Sequence, residues 1–203
     1  MNLICNLELE DLNKLDPCES RSKGVKILYF ARPEDVKKLP TIPKQRNKFE
    51  DYSVLSEGGV SLNGTEHSIE MKKDKKFFKF FSKKDFGELK YTGVGSSGGR
   101  SFTANLEIMH PGMGKKILGF MTAAANRDFI LLVRLNNGEI HLLGDLERGA
   151  EFGDTVEATS GKTQSDEIGV TFNFTYDTSP QLYIGDVEGL FEKEISLDSG
   201  SGN

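Results

Sequence analysis

The chain has 203 residues and a formal net charge of −5, a length that fits one domain or one domain with a small appendage. Leu, Ile, Val and Phe supply 55 residues, about 27% of the chain and above the ~20% level below which a sequence buries too little to fold, so wholesale disorder is excluded. The longest apolar runs, Ile27 to Ala31 and Phe129 to Val133, fall far short of the ~18 residues a bilayer span requires, so no membrane-spanning segment is expected.

In chain order, residues 1–22 read as an extended arm. Met1 to Glu10 lacks the basic stretch of a secretory leader. The two cysteines, Cys5 and Cys18, sit in no zinc-like or dense disulfide pattern, which points to a reducing compartment. A domain over 23–193 follows, opening with a strand from Val25 to Phe30 and a helical turn from Pro33 to Lys38 that Pro40 ends.

Lys72 to Phe86 is the most unusual stretch, seven lysines (72, 73, 75, 76, 79, 83 and 84) interleaved with Phe77, Phe78, Phe80, Phe81 and Phe86. A basic aromatic ribbon can hold a phosphate backbone while its rings stack on bases. The same residues can form an amphipathic strand, or an anchor against a core or a second subunit. Arginine, the better bidentate phosphate ligand, is absent from it. The five phenylalanines are therefore taken as candidate subunit contacts in a long loop.

Gly93, Gly95 and Gly98 have the spacing of a dinucleotide fingerprint, but that motif needs a helix after it. Here a strand follows. Ser101 to Ile108 alternates Phe102, Ala104, Leu106 and Ile108 inward with Thr103, Asn105 and Glu107 outward. A helix is expected from Pro111 to Asn126, where Met113, Ile117, Phe120, Met121 and Ala124 form an apolar stripe, Pro111 suits the first turn and Asn126 the C-terminal cap. Phe129 to Leu135 and Glu139 to Leu143 then flank Asn136, Asn137 and Gly138, and the Asn-Gly pair supplies the positive φ angles of a tight hairpin.

Ser160 to Thr163 reads Ser-Gly-Lys-Thr, the tail of a phosphate loop, yet Val156 stands where the first glycine of that motif must be. Ile168 to Tyr176 is the strongest strand, with Ile168, Val170, Phe172, Phe174 and Tyr176 on one face. A short strand from Gln181 to Ile184 and a tail over 194–203, ending in Ser199, Gly200, Ser201 and Gly202, complete the chain.

His67, His110 and His141 occupy no catalytic or metal-ligand motif, and no nucleophile elbow, zincin motif or paired-carboxylate signature is present. The sequence therefore offers no enzyme site, cofactor site or metal site. Two sequons, at Asn63 and Asn173, carry little weight without a leader. The expected architecture is mainly β, a sandwich or barrel with one flanking α-helix and two extensions.

The charge is split unevenly. Residues 1–133 carry 22 Lys/Arg against 17 Asp/Glu, and residues 134–203 carry 4 against 14. An imbalance of this size speaks to association and field rather than to fold.

From about Gly99 to Ile184 the sequence resembles the major tail tube proteins of long-tailed bacteriophages. The residues that carry the likeness are the hairpin around Asn137 and Gly138, Leu142 to Asp145, the loop from Gly149 to Gly153, and Gly161 to Thr163 leading into the strand Gly169 to Tyr176. The strand Ser101 to Ile108 and the helix precede them.

The resemblance implies a virion protein, made in the host cytoplasm, whose inner sheets join into hexameric rings that stack into a conduit for DNA. Its partners would be itself, other tail proteins such as the terminator, tip or tape measure, and double-stranded DNA that passes without specific binding. An acidic lumen would keep phosphate from sticking. The candidate lumen residues are Glu139, Asp145, Glu147, Glu151, Asp154, Glu157, Asp166 and Glu167. The alternatives are a decoration or connector protein of the virion, and a nucleic-acid-binding module using the Lys/Phe stretch.

Overall fold

A computed structural model describes residues 23–40, 54 and 55, 69–163, 165–185 and 187–190. The expected N-terminal arm (1–22) and tail (194–203) lie outside the described residues. Two packed layers make the fold, antiparallel except where β3 pairs with β12 in parallel, with one α-helix among the described residues.

The first layer is a six-stranded sheet, β3 (Val54–Leu55), β12 (Leu182–Tyr183), β9 (Ile140–Leu143), β8 (Ile130–Leu135), β1 (Val25–Ala31) and β5 (Phe78–Phe80), in that order. The second has four strands, β10 (Glu151–Thr159), β11 (Gly169–Asp177), β7 (Ser101–Pro111) and β6 (Glu88–Val94). A small pair, β2 (Val36–Lys38) with β4 (Glu70–Met71), stands apart.

Alternation along each strand decides what lies between the layers. Leu28, Leu131, Val133 and Leu143 of the large sheet meet Ala104, Leu106, Ile108, Val170, Phe172 and Phe174 of the small one in one core. The opposite face of the large sheet is also apolar. Tyr29, Ala31, Ile130, Leu132, Leu142 and Tyr183 form a second core under Val36, Leu39, Leu55, Ile69, Phe77, Val187 and Leu190. Strand β8 is thus covered on both faces, which is why Ile130 to Val133 is an unbroken apolar run and each of the four residues is fully buried.

With no tryptophan, the first core gets its bulk from phenylalanine. Helix α1 (Lys115–Ala124) closes the gap between the sheets and inserts Phe120 among Phe30, Phe80, Phe129, Phe152 and Phe172, with ring centroids 5.2 to 6.3 Å apart. Ile117 and Ala124, three residues before and four after, share that buried face.

Several local expectations are corrected. Pro111 ends β7 opposite Gly169 instead of starting the helix. Gly112 at φ 85° turns the chain, and the helix begins three residues later behind Gly114. Asn126 is not the C-terminal cap, which is Ala125. Pro33 to Asp35 is a single 3-10 turn and Val36–Lys38 is a strand. Asp35 sits at the end of that turn, buried, and accepts from Arg32 Nε and Nη2 at 2.8 and 3.0 Å and from Lys75 at 3.1 Å.

The β8–β9 hairpin forms as expected, with a different turn. The Gly138 amide donates to the Leu135 carbonyl, the Leu135 amide donates to Glu139, and among the loop residues Gly138 alone takes a positive φ, 100°. This is a three-residue loop in which glycine fills the left-handed position and Asn137 does not. Phe102 is 41% exposed rather than inward, because its partner across the ladder is Gly93, over which its ring lies. Ile168 is likewise exposed, one residue before β11 begins.

Strands β6 and β10 were not anticipated from the sequence, where glycines 93, 95, 149 and 153 suggested loops. Gly95 and Gly98, both at φ near 90°, turn the chain between β6 and β7, so the glycine fingerprint is a hairpin tip. At Gly149 an added Cβ would stand 2.6 Å from Asp128 Cβ and from the Phe129 amide nitrogen. That closeness lets Phe129 and Ala150 exchange both backbone bonds, at 2.9 and 2.7 Å, and ties the start of β8 to β10 across the layers.

Candidate functional site

The five candidate phenylalanines separate by burial. Phe77 and Phe80 are 1% and 6% exposed and belong to the second and first cores, so neither is available to a partner. Phe78 and Phe81 stand out at 51% and 70%. Phe86 is half-buried and lines a shallow pocket with Met109, Gly161 and Thr171. The stretch is not one long loop, since Phe78–Phe80 pairs with Phe30–Leu28 as β5. Successive side chains of a strand point to opposite faces, so Phe77 and Phe80, an odd number of residues apart, enter different cores. Lys75 is paired with Asp35 and Lys83 with Glu167, and Lys76 lies 5.9 Å over the Phe78 ring.

Of the eight candidate lumen carboxylates, several are occupied in holding loops. Asp145 Oδ1 accepts from the amides of Glu147 and Arg148 at 2.8 and 2.6 Å, and Oδ2 accepts from the Tyr176 hydroxyl at 2.8 Å. Partial burial pushes its carboxyl up, but the Arg148 amide, the Tyr176 hydroxyl and the Glu147 amide outweigh burial and hold it below the usual carboxylate range. Asp166 Oδ2 accepts from the amides of Lys162 and Thr163, both at 2.7 Å, and those two bonds lower its pKa. The amides that would cradle a phosphate in the Ser160 to Thr163 loop are thus filled by the chain's own carboxylate. Glu139 closes the hairpin turn on Asn137 at 2.6 Å, and Glu167 pairs with Lys83.

Glu151, Asp154 and Glu157 lie on β10, not in loops. Register places Glu151 opposite Thr175 and Glu157 opposite Thr171. Both therefore share the outer face of the four-stranded sheet with Asn105, Thr103, Glu107 and Asp177, and with Glu88 and Lys90 of β6. Glu88 and Glu107 stand directly opposite one another, a like-charge pair that costs stability in an isolated sheet. The face is polar and carries five carboxylates, Glu88, Glu107, Glu151, Glu157 and Asp177, against Lys90.

Both edges of this sheet are long. β10 has nine residues and β6 seven, neither contains proline, and among the described residues each pairs on one side alone. Natural proteins blunt or cover such edges unless they are used. In β10 the register skips between Phe152 and Val156, so Gly153, Asp154 and Thr155 bulge away from the ladder to β11.

No family model, curated protein or solved structure matches this chain. What the arrangement can do is therefore read from its own chemistry. Among the described residues no group of three or more His, Cys, Asp or Glu side chains could hold a metal ion, and no helix is long and apolar enough to cross a membrane.

Glu107 was legible as an outward residue of an alternating strand. Glu88 was not, because β6 went unseen. His141, in β9, is buried with its Nδ1 3.0 Å from the Tyr91 hydroxyl of β6, a polar rivet between the two sheets. Burial lowers its pKa against the raising effect of Glu139.

Proposed function

We propose that this chain is a structural subunit that assembles edge to edge into rings, and that the rings stack as the tube of a phage tail. The observation that carries the reading is the four-stranded sheet, with two long edges that pair on one side alone among the described residues and a polar, acidic outer face. Strand β6 of one copy, set beside β10 of the next, continues the sheet around a closed ring. A closed β-barrel has no edges left to aggregate.

The outer faces then line the bore, and Glu88, Glu107, Glu151, Glu157 and Asp177 present negative charge to a passing duplex. Like charge prevents lysine-type phosphate contacts and the counterion release that makes DNA adhere. On this reading Glu139, Asp145, Glu147, Asp166 and Glu167 serve loops and rims instead. Within the Lys/Phe stretch Phe77 and Phe80 are core and Lys75 and Lys83 pair with Asp35 and Glu167, so these four are not offered to nucleic acid.

Negative-stain imaging of the purified full chain tests this. Rings or tubes are expected, and a monomer at every concentration would refute the assembly. Thr155→Pro is the matched variant. It removes a donor in the bulge, where the β10–β11 ladder is already interrupted, so the monomer is expected to keep its circular dichroism and melting temperature while assembly is lost.

A further inference from the structure

Lys90 stands among the carboxylates of the acidic face, on the edge strand β6, and Glu157 stands on the same face at the opposite edge, on β10. Both are exposed, and neither has an ion-pair partner among the described residues.

Neighbouring strands of this sheet alternate in direction, so β6 and β10 of one molecule run antiparallel. A rotation about an axis along the strands keeps β6 of one copy antiparallel to β10 of the next. Three registers then set all seven residues of β6 against the nine of β10. The middle one is an odd step from the other two and turns the acidic face of one copy to the core side of its neighbour. Of those two, one places Glu88 opposite Glu157, like charge against like. The other places Lys90 opposite Glu157 and Glu88 opposite Thr159.

The backbone fits this last register. The Gly112 amide donates to the Ile168 carbonyl and the Thr178 amide to the Phe102 carbonyl, so even-numbered residues of β7 bond to β11 and odd-numbered ones to β6. Carried across the ladders, alternation leaves the backbone groups of Leu89 and Tyr91 in β6, and of Val156 and Ala158 in β10, directed away from the sheet. Opposing Lys90 to Glu157 brings Leu89 to Ala158 and Tyr91 to Val156 as hydrogen-bonded pairs. All four side chains are half-buried against the first core, so that core continues across the joint.

Given the edge-to-edge assembly, on which this rests, we infer that β6 pairs with β10 of a second copy in the register that sets Lys90 opposite Glu157, and that this ion pair selects it. The offset also has the size a closed ring needs. Within one molecule Lys90 is level with Glu151, through Asn105 and Thr175. Glu157 lies four ladder positions farther, because two of the six steps between them are taken up by the bulge. In a ring built by rotation alone, a rise of ~13 Å across four strands ~4.8 Å apart is a strand tilt of ~35°, as closed barrels have.

Zero-length carbodiimide crosslinking of the assembled full chain reads the register, since it joins only an amine and a carboxylate in contact. Within one copy β6 and β10 are three strand spacings apart, ~14 Å, so a link between them joins two copies. A Lys90–Glu157 link is expected in the digest of rings verified by negative stain. Rings in which Lys90 is linked to Glu151, or to no carboxylate, would overturn the register and leave the assembly standing. Absence of rings would overturn both.

Charge exchange supplies the second arm. Lys90→Glu is expected to raise the concentration at which half of the chains are assembled at least ~3-fold, and Lys90→Glu with Glu157→Lys to return it to within ~2-fold of the unaltered chain. An exchange that does not restore assembly refutes the pairing.

Discussion

His141 and Tyr91 show what one buried polar pair contributes to this fold. Burial holds the imidazole neutral, with Nδ1 free to accept from the Tyr91 hydroxyl, whose own oxygen is met by the Gln181 amide. Because the folded pKa lies below that of the unfolded chain, ~6.5, the folded state binds fewer protons there. Stability is then full above that value and declines as the pH falls below it. His141→Gln keeps an acceptor for Tyr91 and cannot titrate. The slope of melting temperature against pH between about 7 and 5 is expected to flatten, with a loss of about 1 kcal/mol at pH 8.

Asp145 acts with the same sign over a lower pH range. Its three accepted bonds hold the carboxyl low, so its contribution is present above the unfolded carboxylate range and is lost as the pH falls through the folded value. Since the residue is exposed, Asp145→Ala is expected to cost about 1–2 kcal/mol by thermal melting at pH 7 and less at low pH.

At the scale of elements, the helix matters for one ring more than for its length. Phe120 contacts five other phenylalanines drawn from β1, the β5 edge, β10, β11 and the residue preceding β8. Truncation leaves a cavity that two sheets and a helix cannot all collapse into. Phe120→Ala is expected to cost about 3 kcal/mol, seen as a drop of about 6–12 °C in melting temperature for a domain of this size. Phe120→Leu, which keeps most of the volume, is expected to lose less than half of that.

For the whole molecule, the charge asymmetry acquires a geometry. The acidic last third does not act as one block: part of it closes loops and pairs with lysine, and part faces outward from β10 and β11. It is joined there by Glu88 and Glu107, which come from the basic part of the chain. If that face lines a bore, Glu107→Lys with Glu151→Lys and Glu157→Lys is expected to leave the melting transition within about 1 kcal/mol, because all three are exposed and Glu107 relieves its repulsion with Glu88. Assembled tubes of this variant should retain double-stranded DNA at low salt and release it as salt rises. Tubes that ignore DNA at every salt concentration would place the face outside the bore.

Strands with unbroken alternation, β7 and β11, were readable in the sequence because period two needs no neighbour to define it. The β8–β9 hairpin was readable because Asn-Asn-Gly restricts the backbone locally, and the helix because Ile117, Phe120, Met121 and Ala124 keep their spacing. β6 and β10 were hidden. As edge strands with one face against the core they carry Gly93, Gly153 and a bulge, and their register comes from the β7 and β11 ladders. The division of Phe77 and Phe80 from Phe78 and Phe81 was hidden for a related reason, since the large sheet is buried on both faces and a Phe-Phe step does not say which face is covered. Sequence alone determined a mainly β architecture with one helix, and within it β7, β11 and the β8–β9 hairpin. Which carboxylates share a face, which edges stay unpaired and which aromatics reach solvent are properties of pairing between distant segments, and only the tertiary structure decided them.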